Sequence, residues 1–92
     1  MMLSIMIQTK PNQTELDRLD VQHWPTWQKA PSEFDWYYDT TEVCYLLEGE
    51  VLITPEQGEP VVIKAGNLVT FPASLSCQWQ IKQTVRKHYQ FY

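Results

Sequence analysis

The sequence predicts an all-β chain, a small antiparallel β-barrel or jelly roll. Two observations carry the prediction. About eight or more short strand-length segments, alternating or continuously apolar, follow one another along the chain. Gly and Pro punctuate them, and only one stretch has room for a turn of helix. Ninety-two residues make one domain, 1–92, with no room for a second core. A chain this short buries a modest share of its surface, which favours a closed sheet over an open one.

The elements follow in order. Leu3, Ile5 and Ile7 alternate with Ser4, Met6 and Gln8, a strand that Pro11 ends. Thr14, before Glu15 and Asp17, suits the cap of a single helical turn reaching about Leu19. His23 falls in an exposed loop. Pro25 pushes Trp24 into an extended conformation, and Trp27 to Ala30 reads as a short edge strand stopped by Pro31. Both Trp residues read as packing residues of the core or the barrel end. From Ser32 to Asp39 the alternation is clean: Phe34, Trp36 and Tyr38 share one face, and Glu33, Asp35, Tyr37 and Asp39 the other.

Val43 to Leu47 is continuously apolar, so both faces of that strand should be covered. Glu42 leads into it on the face of Cys44 and Leu46. Gly49 supplies a bend or a positive-φ position before a second strand, Glu50 to Thr54, and the hairpin ends at Gly58. Val61 to Ile63 and Leu68 to Phe71 are further short strands, with a corner at Pro72 to Ser74. Ser76 to Gln83 alternates most strictly, with Cys77, Trp79 and Ile81 on one face. A last strand runs from about Val85 to Phe91. Either of its faces, Val85, Lys87, Tyr89 and Phe91 or Arg86, His88 and Gln90, could point inward. Arg86, Lys87 and His88 read as a solvated face paired with Glu48 or Glu50.

Formal charge is −4, with seven Lys and Arg against eleven Asp and Glu and no basic stripe. Nucleic acid and anionic membrane are therefore excluded as expected partners. The apolar N-terminal stretch has no basic residue before it and meets Lys10 and Pro11 at once, so neither a signal peptide nor a membrane span is expected. Two cysteines without a secretory signal read as reduced thiols of a cytoplasmic protein.

The spacing from Glu42 to Gly49, then from Gly66 to Pro72 with a further residue five on, resembles the two motifs of the cupin superfamily. In that family the motifs supply three His and a Glu that bind a divalent metal inside a jelly roll. The surrounding residues, from Trp24-Pro-Thr-Trp27 through Phe71-Pro72 to Arg86-Lys-His-Tyr89, are similar to small single-domain cupins related to ureidoglycine aminohydrolase. The resemblance implies a jelly roll and, at its fullest, a metal-dependent aminohydrolase acting on a ureide-like substrate. The metal positions fall on Trp36, Tyr38, Glu42 and Cys77, with Gln78 an alternative for the last. Trp has no lone pair to give, and a neutral Tyr is a poor ligand. Glu42 and Cys77 under-coordinate a divalent ion unless Cys44 or His88 joins them. No metal or cofactor is therefore expected.

A closed barrel would gather Phe34 with the candidate ligand-binding residues Trp36, Tyr38, Glu42, Cys44, Cys77 and Trp79. Glu42 could serve only as an acceptor for an indole N–H or the Tyr38 hydroxyl. It could instead recognise a cationic or amide-bearing molecule among the rings. The cysteines read as small buried fillers, and a thiol beside Glu42 is a poorer nucleophile, not a better one. The expected function is binding of a small polar or nitrogenous molecule in the barrel, with no particular reaction indicated. The metal-dependent hydrolase is one alternative, and an accessory domain whose barrel is filled by its own side chains is another. The apolar strand from Leu3 to Ile7 is available to pair two copies as a homodimer.

Overall fold

Two long strands carry the molecule. In the computed structural model, which describes residues 3–92, strand β4 (Glu42–Pro55) and strand β7 (Ser76–Phe91) lie antiparallel from Glu42 opposite Phe91 to Pro55 opposite Cys77. Around them stand β1 (Met6–Gln8), helix α1 (Gln13–Leu19), a 3₁₀ turn (Val21–His23), β2 (Thr26–Lys29), β3 (Ser32–Tyr37), β5 (Val61–Lys64) and β6 (Leu68–Phe71). The first half of β4 pairs with β6, which pairs with β1; its second half pairs with β5. The second half of β7 pairs with β2 and its first half with β3. All these pairings are antiparallel, and the small all-β jelly roll expected from the sequence is what forms.

Gly49 decides how the long ladder bends. Its φ is +102°, and a Cβ there would lie 2.5 Å from the Thr84 carbonyl oxygen and 2.7 Å from Val85 Cα. Only glycine fits this left-handed, close approach. Register slips beside it: Leu46 faces Lys87 and Val51 faces Ile81, so β7 spends one residue more than β4 between these two pairs. The slip flips the inward face of β4. Glu42, Cys44 and Leu46 are buried before the bulge, and Val51, Ile53 and Pro55 after it. On β7 the inward parity holds throughout, from Cys77, Trp79 and Ile81 to Val85 and Lys87.

The continuous strands correct two expectations. No hairpin forms at Gly49, because a bulged strand keeps its pairing with β7 through the bend. Residues 76–83 and 85–91 are likewise one strand, so among the described residues seven strands replace the eight or more expected. The N-terminal strand is shorter than predicted, Met6–Gln8, with Leu3 to Ile5 outside it. The helix has seven residues, longer than a single turn, and its cap is Asn12, whose side chain accepts from the Glu15 N–H at 2.8 Å.

Two apolar clusters form. The main one joins Leu46, Val51, Ile53, Ile63, Val69, Phe71 and Val85, all without measurable exposure. The second, Leu16, Val21, Trp24 and Leu68, packs against Val43 and Tyr45. It covers the outer side of β4, as the unbroken apolar run predicts. Trp24 is thereby a core residue.

Candidate functional site

Residues of β2, β3, β4 and β7, with Tyr38 just after β3, meet around a cavity of about 520 Å³. Its wall includes Trp27, Phe34, Trp36, Tyr38, Glu42, Trp79, Lys87 and Tyr89. Pairing sets them in place: Trp27 lies opposite Lys87, and Phe34 opposite Trp79. The Phe34 and Trp79 rings stack with centroids 5.9 Å apart, and Trp27 meets Trp79 edge-on at 6.0 Å. Tyr38 stacks on Phe71 at 4.8 Å. Such contacts add about 0.5–1.5 kcal/mol each beyond burial and hold the wall rigid.

At the polar point of this wall, Lys87 Nζ donates to Glu42 Oε2 at 2.6 Å. The side chains are only 7% and 4% exposed, so the pair is buried. Lys87 lies opposite Leu46 on the ladder and reaches Glu42 diagonally along the inward face. Its ammonium stands 4.8 Å from the Trp79 ring centroid and 5.0 Å from that of Trp27. The cation is thus held by one carboxylate and two π faces.

An indole or the Tyr38 hydroxyl is the donor that the sequence offers Glu42. Instead, Trp79 Nε1 donates to Tyr38 Oη at 3.2 Å, and Glu42 takes the ammonium. Burial first, and then the negative charge of Glu42, push the Tyr38 phenol far above its ordinary range, so it stays neutral.

The structure divides the predicted site residues. Trp36, Tyr38, Glu42 and Trp79 line the cavity, with Trp36 48% exposed at its rim. Cys44 is fully buried and is not part of the wall. Cys77 lines a separate, more open groove beside Asp35 and Glu56. Burial pushes the Cys44 thiol up to about 12, with Lys87 pulling it down and Glu42 pushing further up. Burial likewise pushes Cys77 up to about 11. Both are free, protonated thiols, as their filler reading predicts.

The expectation that Lys87 belongs to a solvated face is overturned. Arg86 does point out, 3.7 Å from Glu48. Lys87 goes in because β7 keeps one parity from Cys77 onward. His88 points away, its Nδ1 2.9 Å from the Trp24 carbonyl oxygen. Trp27, Lys87 and Tyr89 are cavity residues absent from the candidate set drawn from the sequence. A signal exists for Lys87: Cys77, Trp79, Ile81, Val85 and Lys87 all have odd numbers, which matters once the strand is continuous.

The donor set does not fit the divalent metal of the superfamily. Trp36 offers no lone pair, the Tyr38 oxygen is neutral and bonded to Trp79, and Cys77 opens elsewhere. The one carboxylate already holds an ammonium. Among the described residues no three His, Cys, Asp or Glu side chains converge to hold an ion.

Comparison with known proteins agrees with this fold. Over 97% of its length the chain superposes on the whole of a DUF861 family protein from Thermotoga maritima, with a TM-score of 0.94 and 49% identity. It also matches a putative ethanolamine utilization protein Q from Salmonella typhimurium at TM-score 0.66 and 28% identity, over 73% of this chain and 54% of that one. The EutQ protein of Clostridium difficile matches with the same TM-score and 24% identity, over 73% and 52%. The chain thus spans about half the length of either EutQ protein. No curated protein sequence matches it. Among the described residues no helix is long and apolar enough to cross a membrane. The family model of the EutQ-like cupin domain matches residues 16–89, from within the helix to near the end of β7, and the chain belongs to that family.

Proposed function

We propose that the cavity binds a small polar molecule that presents an amide, ureide or similar edge to the Glu42–Lys87 pair. The observation that carries this is the buried pair itself, 2.6 Å apart on the wall of an aromatic cavity of about 520 Å³. Such a volume suits a small metabolite. With Lys87 already in place as counter-cation, a purely cationic ligand would have to displace it. A group carrying both an N–H donor and a carbonyl acceptor can instead bond to the carboxylate and the ammonium together. The rings of Phe34, Trp79 and Trp27 provide flat surfaces for the remainder of the molecule. Ureides carry such an edge, and the resemblance of the surrounding residues to ureidoglycine aminohydrolases is a second reason to try them. Binding, without a hydrolytic metal step, is the use these residues support.

Trp27 and Trp79 make the test direct, because a molecule entering the cavity changes their surroundings. Titrating the protein with amides, ureides and amino acids should change its tryptophan fluorescence saturably for at least one compound. The same compound should bind Glu42→Gln at least tenfold more weakly, since a charge-assisted bond of about 1.5–3 kcal/mol is lost. A panel without effect, or unchanged affinity in the variant, would count against the reading. The exposed edge residue Met6 of β1 supports the further proposal that two copies pair there, and sedimentation showing only monomer at micromolar concentration would reject it.

A further inference from the structure

We infer that Lys87 is a covalent site: an amine that condenses with a small aldehyde or ketone to give a protonated imine. This rests on the same cavity being open to a ligand. A carbonyl-trapping lysine needs a route for its proton, a partner for the cation that results, and surroundings poor in competing water. The first two are present in Glu42, and the Lys87 side chain is only 7% exposed. Glu42 Oε2 is 2.6 Å from Nζ, so the bridging proton can pass to the carboxylate and free the amine lone pair without solvent. The amine then adds to the carbonyl carbon, and the carbonyl oxygen takes up a proton to form a carbinolamine. Its hydroxyl leaves as water, protonated through Glu42, while the nitrogen lone pair makes the C=N bond. Over the whole sequence an ammonium and a carbonyl compound become an iminium and water. No oxidant or reductant is consumed.

The charge of the site is unchanged by this reaction. The iminium inherits the position of the ammonium, with Glu42 as counter-ion and the Trp27 and Trp79 rings 5.0 and 4.8 Å from the nitrogen. No side chain has to lose a partner for the product to be accommodated. Lys29, exposed on the cavity wall with its ammonium 5.4 Å from the Phe34 ring, adds a positive charge suited to a carboxylate at the far end of the molecule, while Glu33 on the same wall already accepts from Gln80. The favoured class is therefore a small, flat aldehyde or ketone bearing a carboxylate. The other lysines, Lys10, Lys64 and Lys82, are exposed and lie outside the cavity wall.

The test uses 4-carboxybenzaldehyde with sodium cyanoborohydride, which fixes an imine as a stable amine, followed by peptide mapping. Lys87 should be labelled at least tenfold faster than Lys10, Lys64 and Lys82. Glu42→Gln should slow labelling of Lys87 on the order of a hundredfold, the size of a lost proton relay. Labelling of Lys87 no faster than the exposed lysines, or at an unchanged rate in Glu42→Gln, overturns the covalent site. The corresponding amide, 4-carbamoylbenzoate, cannot form an imine and separates the two readings. If it protects Lys29 and Lys87 from other amine reagents while the aldehyde leaves Lys87 unlabelled, the covalent site is wrong and the binding cavity stands. If neither compound reaches Lys87, both readings fall.

Discussion

Where Val51, Ile53, Ile63 and Ile81 meet, none is more than 3% exposed, and aliphatic side chains fill the space between strands. Where Glu42 and Lys87 meet, the same two long strands instead enclose a charge pair, a set of rings and about 520 Å³ of open volume. The first region stabilises the fold in the ordinary way, at about 1.5–3 kcal/mol for each large side chain buried. The second contributes little by comparison, since the Coulomb energy of a buried pair roughly offsets its desolvation. A cavity also forfeits the dispersion contacts that filling atoms would make. The polar region is therefore not what holds the barrel together, and the proposed binding is placed there for that reason.

The contrast is sharpest at Lys87. Lys87→Met leaves Glu42 buried without its partner, and a loss of about 3–5 kcal/mol in urea denaturation is expected. Glu42→Gln removes the charge from the other side and should also destabilise, contrary to what an acceptor for a Trp or Tyr donor would show. Replacing both, as Glu42→Leu with Lys87→Met, should return most of the lost stability. If the double variant were as unstable as the single one, the pair would be a structural element after all.

In the aliphatic region Ile53→Ala should cost about 2–5 kcal/mol by leaving a void, yet leave ligand affinity in the other region unchanged. Equal damage to both would mean the regions are coupled. A smaller effect separates them by pH. The thiols of Cys44 and Cys77, pushed up to about 12 and about 11, stay protonated in the native protein while unfolded chains ionise near 9. Between these values the native state binds more protons, so stability should fall as pH rises from about 9 to about 12. Cys44→Ala should flatten part of that slope, which denaturation on either side of the unfolded thiol's titration would measure. Smallest of all, Glu48→Gln should shift stability by about 0.5 kcal/mol or less, because its pair with Arg86 is largely solvated.

The two regions also differ in how far the sequence reveals them. Alternation points to Cys77, Trp79 and Ile81 because it depends only on local parity, and the spacing shared with the cupin motifs points to Glu42. Gly49 is legible as a positive-φ position. Its consequence is not, since a bulge that keeps the ladder paired and a turn that ends it have the same local residue pattern. The sequence leaves the face of Lys87 open and favours the solvated one, because a lysine in an alternating strand ordinarily marks the solvent side. Only the partner carboxylate on another strand, and two rings brought close by pairing, make its burial tolerable. Cys44 and Cys77 have the right parity for the interior, but parity alone does not tell a cavity wall from close packing, and neither lines the cavity.

Whether the buried pair takes part in binding is settled by thermal melts of the wild type and the Glu42→Leu, Lys87→Met double variant across amides, ureides and amino acids. Both proteins should be folded, so stability does not confuse the result. At least one compound should raise the melting temperature of the wild type and have no effect on the double variant. Compounds that shift neither protein, or shift both alike, would contradict this and leave the Glu42–Lys87 pair with no part in binding.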